Sequence, residues 1–309
     1  MNSYILNKNK TKQKKMADKK ILIIGGTSYI GTYLLNRLSD KAISTYYEKP
    51  IDNSLYFDAL SMRLSDVLKS PETISHAVVL IGDTDPETCA EDIKKSTKLN
   101  VDSIKSIIKD LQLLKIKPVF TSSEFVFDGT KGNYIETDTP NPILTYGKQK
   151  VEIEKYIQKS CDDFIIVRLA KVFGSQTGDE TLFTNWLEAI KKDQTIHCAY
   201  DQIFSPVYVK DVVEAVARLI ENDCKGIFHV SNPRAFSRLD LLNILLAEVK
   251  KKNKEIKANV VKCSIHDFDL REKRPLNVSM KPDKLIKNTG IQLTNIEDIC
   301  KGIVKNNFN

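Results

Sequence analysis

A serine, a tyrosine and a lysine define the chemistry this sequence can do. Ser123 follows the strand-like run at residues 117–122, and Tyr146 and Lys150 come after a Pro-rich turn. The last two are four residues apart at the start of a helical pattern, so they share one helix face. A phenol with its ordinary pKa of about 10 is a poor acid–base group at neutral pH. An ammonium beside it stabilises the phenolate and lowers that value. If the three groups meet at one carbonyl oxygen, Tyr146 passes a proton, Lys150 tunes it and holds a cofactor ribose, and Ser123 donates to the developing alkoxide. The reaction this implies is reduction of a carbonyl by a nicotinamide cofactor. The Y-x-x-x-K spacing alone carries little, because Tyr4 and Lys8 repeat it near the start of the chain. The weight lies in its conjunction with Ser123 and with a glycine turn at the first strand.

That turn belongs to the scaffold the three residues need. Residues 21–24 read as a buried parallel strand and 29–38 as a helix, with Gly25-Gly-Thr-Ser-Tyr-Ile-Gly31 between them. Gly25 and Gly31 hold the outer positions of a G-x-x-G-x-x-G spacing, and Ser28 stands in the middle. Small residues at such a turn let backbone amides approach a pyrophosphate. The expected cofactor contacts here are Gly25, Thr27, Ser28, Tyr29, Ile30 and Gly31. A second strand comes at 42–47, and a short third strand at 55–58 ends in Asp58. Asp58 either meets the adenine or caps the following helix. Glu48, beside Lys49, comes late for a ribose-binding acid, which leans the cofactor toward NADPH over NADH.

The fourth strand, 76–82, brings Ile81 and Gly82 to the cofactor. An acidic loop with Pro86 spans 83–92, and a long amphipathic helix is expected over 95–114. The fifth strand ends at Thr121 and Ser123, in the zone beyond the strands' carboxyl ends where open α/β sheets bind ligands. Helix 146–159 is read with Glu152 and Glu154 on its exposed face. A sixth strand covers 164–169. Further on come helices at 180–192, 212–222 and 238–250, strands at 195–200, 226–230 and 260–266, and a lysine-rich loop at 251–257.

Composition excludes several classes. Of the net charge of +7, residues 1–20 carry +6, with seven lysines against Asp18. The tail has no apolar segment of a secretory signal, and its expected state is a disordered extension without nucleic-acid binding. No stretch reaches 18 apolar residues, so no membrane span is expected. Six scattered cysteines form no C-x-x-C, and four histidines show no ligand spacing, so no metal site is expected.

Taken together, these motifs resemble the extended short-chain dehydrogenase/reductase family. Within it, the chain is most similar to the dTDP-4-dehydrorhamnose reductase branch, which also holds the regulatory β subunit of methionine adenosyltransferase. The marks are the glycine turn, Ser122-Ser-Glu-Phe-Val-Phe-Asp-Gly129, Tyr134-x-Glu136 with Asp138, Tyr146-Gly-x-x-Lys150 with Glu154, Arg168-Leu169, Asp201-Gln202 and Arg274-Pro-Leu-Asn277. The resemblance implies an α/β, Rossmann-type doubly wound parallel sheet with a smaller mixed C-terminal substrate lobe. The division expected is 1–18 tail, 19–174 NAD(P)-binding domain and 175–309 substrate lobe, with parts of 205–230 returning to the sheet. It also implies a cytoplasmic homodimer that reduces a nucleoside-diphosphate-linked 4-keto-6-deoxy sugar. By position Ser123, Tyr146 and Lys150 match the catalytic set, and Ser123, Glu124, Phe125 and Arg274 are the substrate contacts.

The triplet Ser123-Glu124-Phe125 separates this chain from relatives. Sugar-nucleotide dehydratases resemble Thr-Asp-Glu there, and fucose-synthase-type enzymes carry a cysteine at the position of Glu124. A plain reductase remains, with a sugar-nucleotide epimerase or a non-catalytic cofactor-binding regulatory subunit as the alternatives.

Overall fold

The computed structural model describes residues 19–176, 178–256 and 258–307, so the lysine-rich tail and its Tyr4–Lys8 pair lie outside the described residues. At the centre is β1 (Lys20–Ile24), with Ile21 and Ile23 buried on one face and Leu22 and Ile24 on the other. A run buried on both sides suits a parallel strand covered by helices. β2 (Ala42–Tyr46) and β3 (Ser54–Tyr56) extend the sheet one way. β4 (Ile74–Val79), β5 (Lys117–Ser123), β6 (Ile165–Leu169) and β7 (Gly226–Val230) extend it the other way. The order is β7-β6-β5-β4-β1-β2-β3 and every pairing is parallel. This is the Rossmann-type doubly wound fold. The winding reverses between β1 and β4, which opens a crevice at their carboxyl ends.

Helices cover both faces. α1 (Tyr29–Leu38) contributes Leu34 and Leu38 to the core on the Ile21 side. On the opposite face α2 (Ser103–Leu113) buries Ile104, Ile107 and Leu111, and α3 (Thr145–Ser160) buries Ile153 and Ile157. A separate core lies in the C-terminal half. There α4 (Leu182–Lys191) supplies Phe183 and Trp186. It meets Leu241 and Leu245 of α5 (Arg238–Lys252) and Ile299 and Ile303 of α6 (Ile296–Asn307). Ser237 starts α5 with a capping box, its Oγ accepting from Asp240 N at 3.0 Å while Asp240 Oδ2 accepts from Ser237 N at 3.0 Å.

Three local expectations change. The helix expected over 95–114 is interrupted: Ile93–Thr97 leads into a π-helical turn, Lys98–Asp102, before α2. The wider turn places buried Asn100 against the loop after β4, where its amide exchanges hydrogen bonds with Asp83 N (2.8 Å) and Asp83 O (2.9 Å). The stretch 83–92 is partly the short helix Pro86–Glu91. Pro86 takes a first-turn position that needs no N–H, and Asp85 caps it by accepting from Glu87 N at 2.9 Å. Lys251 and Lys252, expected in a loop, complete α5. Among the described residues, no helix is long and apolar enough to cross a membrane.

Candidate active site

β5 carries Ser123 to the carboxyl edge of the sheet, where the strand breaks into the turn Glu124–Val126. Ser123 Oγ accepts from Phe125 N at 3.2 Å, so the hydroxyl is held by the turn it begins. α3 starts beside that turn with Leu144 at its N-cap and no cap from that side chain. The cap comes from Glu272. Its carboxylate accepts from Thr145 N at 3.0 Å and from Thr145 Oγ1 at 2.9 Å. A carboxylate there also complements the positive end of the helix dipole. Gly147 lets the helix come close, since a Cβ on it would collide with the Phe125 carbonyl oxygen.

This approach sets Tyr146 and Lys150 beside Ser123. Tyr146 is buried and packs edge-on against Phe125, with ring centroids 6.4 Å apart. Burial pushes its phenol above the usual range, and the Ser123 hydroxyl acts against that shift. Lys150 Nζ donates to Thr121 O at 2.9 Å and lies 5.4 Å from the Tyr146 ring centroid. Burial brings the ammonium down to about 8, with Cys89 and Glu154 pulling it back up. The pair therefore stands with a protonated phenol and an ammonium that holds its charge at neutral pH.

Glu154 is not on the exposed face of α3; it is 1% exposed. It follows Tyr146 and Lys150 at successive intervals of four, so all three lie on the stripe facing the sheet. Arg168 of β6 is its partner, with Nε to Oε1 at 3.0 Å and Nη2 to Oε2 at 2.7 Å, and Ser122 Oγ donates to Oε1 at 2.5 Å. Glu152 is on the outer face, paired with Lys105 at 2.5 Å.

The glycine turn forms the other end of the cleft. Gly25 adopts φ +94°, and a Cβ on Gly31 would lie 2.5 Å from Gly25 O, so the helix packs directly on the turn. Ser28 caps α1: its Oγ donates to Gly25 O at 2.7 Å and accepts from Gly31 N at 3.2 Å. Its hydroxyl is thus turned into the loop. Tyr29 and Ile30 open the helix, where amides lack intrahelical partners, and both line the cleft. The cleft encloses about 340 Å³ and reaches from Ser28 past Ile81, Gly82 and Thr121 to Ser123, Tyr146 and Lys150. Gly25, Thr27 and Gly31 belong to the turn but do not line the cleft. Asp58 lies outside: it accepts from Leu60 N at 2.9 Å and from Ser61 Oγ at 2.6 Å, closing the turn after β3. The shape fits a dinucleotide, with small residues and first-turn amides at one end and the lysine–phenol pair at the other.

A second cavity of about 280 Å³ adjoins the first and shares Glu124, Phe125 and Lys171 with it. Arg274 lines this cavity and is nine-tenths buried. Its Nη2 pairs with Glu87, while Nη1 has no partner. Arg238 lies in the same wall and donates from Nε to Gln202 Oε1 at 2.9 Å. Lys171 and Arg238 escaped the sequence reading. Lys171 sits just past the carboxyl end of β6, a position that signals ligand contact, whereas Arg238 reaches the wall only through tertiary packing. Among the described residues, no group of three or more His, Cys, Asp or Glu could hold a metal ion.

Comparison with known proteins gives the family and the fold. The chain is 26% identical over 278 residues to the spore coat polysaccharide biosynthesis protein SpsK of Bacillus subtilis, covering 88% of this chain and 92% of that one. It is 28% identical over 153 residues to the methionine adenosyltransferase 2 subunit beta of Bos taurus, covering 47% of this chain and 46% of that one, so the chain spans about half the length of that relative. Among solved structures, a dTDP-4-dehydrorhamnose reductase from Bacillus anthracis, in complex with NADP, superposes with a TM-score of 0.78. It is 20% identical and covers 94% of this chain and 99% of that one. A hypothetical dTDP-4-dehydrorhamnose reductase from Sulfolobus tokodaii gives 0.77 at 24% identity, covering 90% and 98%. The family described as the RmlD substrate binding domain matches residues 19–307, and this chain belongs to it.

Proposed function

We propose that this chain is an NAD(P)H-dependent oxidoreductase that reduces a nucleoside-diphosphate-linked 4-keto-6-deoxy sugar, in the assembly of a deoxysugar or surface polysaccharide. The observation that carries the reading is the convergence of Ser123, Tyr146 and Lys150 at one end of a cleft whose other end is the glycine turn. Support also comes from the named relatives, which include a spore coat polysaccharide protein and a probable low-salt glycan biosynthesis reductase of Haloferax volcanii. Ser28, Tyr29 and Ile30 would hold the pyrophosphate over the turn that Gly25 permits, and Ile81, Gly82, Thr121, Tyr146 and Lys150 the nicotinamide half. The chemistry that bound NADPH or NADH supplies is a hydride for the carbonyl carbon.

Tyr146 gives its phenolic proton to the carbonyl oxygen as that oxygen becomes an alkoxide. Its burial keeps the proton in place until then. Lys150 stabilises the phenolate left behind, and its tether to Thr121 O fixes the ammonium under the ring. Ser123 donates to the same oxygen. The adjoining cavity, with Arg274, Arg238 and Lys171 in its wall, suits the negative charge of a nucleoside diphosphate. Pairing of two copies through α3 and a cytoplasmic setting complete the proposal, and sedimentation velocity tests the first.

The test is NADPH oxidation across a panel of nucleotide-linked 4-keto sugars. Turnover that falls about 10²–10³-fold in Ser123→Ala supports the reading. Bound NADPH with no turnover across the panel would replace it with a non-catalytic regulatory subunit; the bovine relative is named as a subunit of methionine adenosyltransferase 2.

A further inference from the structure

A third cavity, of about 470 Å³, lies at the opposite edge of the sheet from the active-site cleft. β4 runs between the two. Leu80 and Ile81, just past its carboxyl end, line the cleft, while Ser75 and His76 near its start line this cavity. Ile21 of β1, the register partner of His76, belongs to the wall together with Leu38 and Ile220. Leu38 closes α1, and Ile220 lies in the last turn of the helix Val209–Glu221. Both helices therefore bring their carboxyl ends here, where the last carbonyl oxygens lack intrahelical donors.

His76 is 1% exposed, and its Nε2 has no hydrogen-bond partner among the described residues. Buried polar atoms are mostly paired, so an orphan in a cavity wall marks a place for a ligand. The other ring nitrogen decides what Nε2 can do. Ser75 Oγ spends its single proton on Lys20 O at 3.3 Å, so at 3.0 Å from Nδ1 it accepts from the ring N–H. Burial and the nearby Lys117 ammonium push the imidazole down to about 4, against the pull of Asp223 and Asp163. Near neutral pH the ring is uncharged and Nε2 is a bare acceptor, so a ligand that completes the set has to donate. The wall does not select for charge. Lys19, Arg37 and Lys41 balance Asp40, Glu221 and Asp223 in number, and Arg37 is already paired with Glu221 and Lys117 with Asp223. The apolar side chains and the volume suit an aromatic ring.

We propose that this cavity is a second small-molecule site, which takes a neutral aromatic compound whose N–H or O–H donates to His76 Nε2. It does not rest on the reductase reading, because it shares no wall residue with the cleft or with the cavity beside it.

The experiment titrates indole and N-methylindole into the full-length protein by saturation-transfer NMR, with and without NADPH. Methylation removes the donor and keeps the ring. Indole is expected to bind in both conditions, at least about tenfold more tightly than N-methylindole. His76→Phe keeps a ring of similar size without the acceptor, and there the two probes are expected to bind equally. In the wild type the His76 Nε2 resonance, followed by nitrogen NMR, should move upfield with indole and stay in place with N-methylindole. That shift decides the matter if the phenylalanine variant does not fold. No binding up to the solubility of indole, displacement of indole by NADPH, an unmoved Nε2 resonance, or a preference that survives in His76→Phe overturns the inference. NADPH that fails to bind while the preference for indole holds would overturn the coenzyme reading and leave this one standing.

Discussion

Glu154 grips Arg168 through two hydrogen bonds, at 3.0 and 2.7 Å, one helical turn beyond Lys150 and wholly out of solvent. The pair ties α3 to β6, and Ser122 ties the same carboxylate to β5. The helix that carries Tyr146 and Lys150 is therefore pinned to the two strands beneath it. Removing one partner leaves an uncompensated buried charge, which costs about 3–5 kcal/mol. Glu154→Gln should lose that much stability in urea unfolding. The double variant Glu154→Leu with Arg168→Met should recover most of it, because an apolar pair of similar volume needs no compensation.

Gly31 tests the cofactor end. A Cβ there meets two backbone oxygens, Gly25 O at 2.5 Å and Gly26 O at 2.8 Å, and neither can swing away. Gly31→Ala should destabilise the fold by about 1–3 kcal/mol. It should also weaken NADPH binding, read by fluorescence titration, because the turn and the first-turn amides move together.

Arg274 tests the adjoining cavity. Its free Nη1 is available for an anion, while Nη2 is already held by Glu87. A hydrogen bond to a charged group is worth about 1.5–3 kcal/mol, so Arg274→Met should raise KM for the nucleotide sugar by about 10–100-fold with kcat little changed. Arg274→Lys should restore only part of this, since it keeps the charge without the fork. Steady-state kinetics at fixed NADPH separates the two constants.

Two buried groups of the site contribute to the pH dependence of stability with opposite signs. Glu124 is raised from 4.5 to about 8, so the stability it contributes is full below 4.5 and is lost as pH rises toward 8. Lys150 is lowered from 10.5 to about 8, so the penalty of burying its charge applies below 8 and is relieved as pH rises from there toward 10.5. Between pH 5 and 8 the wild type should lose stability relative to Glu124→Gln by up to about 1.4 kcal/mol per pH unit. Urea unfolding across that range gives the slope, and parallel curves for the two proteins would show that Glu124 does not titrate there.

Much of this arrangement was legible in the residues. Ile21 to Ile24 announced a strand buried on both faces, and the pair 146/150 with Ser123 pointed to one cleft because strand end and helix start are both local features. Glu154 was misplaced because a carboxylate reads as exposed until its partner is known, and Arg168 lies on another element. Yet its spacing from Lys150 and Tyr146 already put it on their stripe. Asp58 left two readings open, and its side chain turns out to bond within its own turn. Of the cationic wall of the second cavity, Arg274 alone was named from the sequence, and Lys171 and Arg238 were not. Lys171, Arg238 and Arg274 come from three distant segments that only the packing of the C-terminal lobe brings together.

Transfer of deuterium from NADPH labelled at C4 of the nicotinamide to the sugar of dTDP-4-dehydro-6-deoxyglucose tests the central claim most directly. Mass spectrometry of the product should show one deuterium in the sugar for the wild type and a yield lower by about 10²–10⁴-fold for Tyr146→Phe at the same time point. Label that stays on the cofactor in a protein saturated with both ligands, or passes to the sugar equally well without the phenol, would contradict the account.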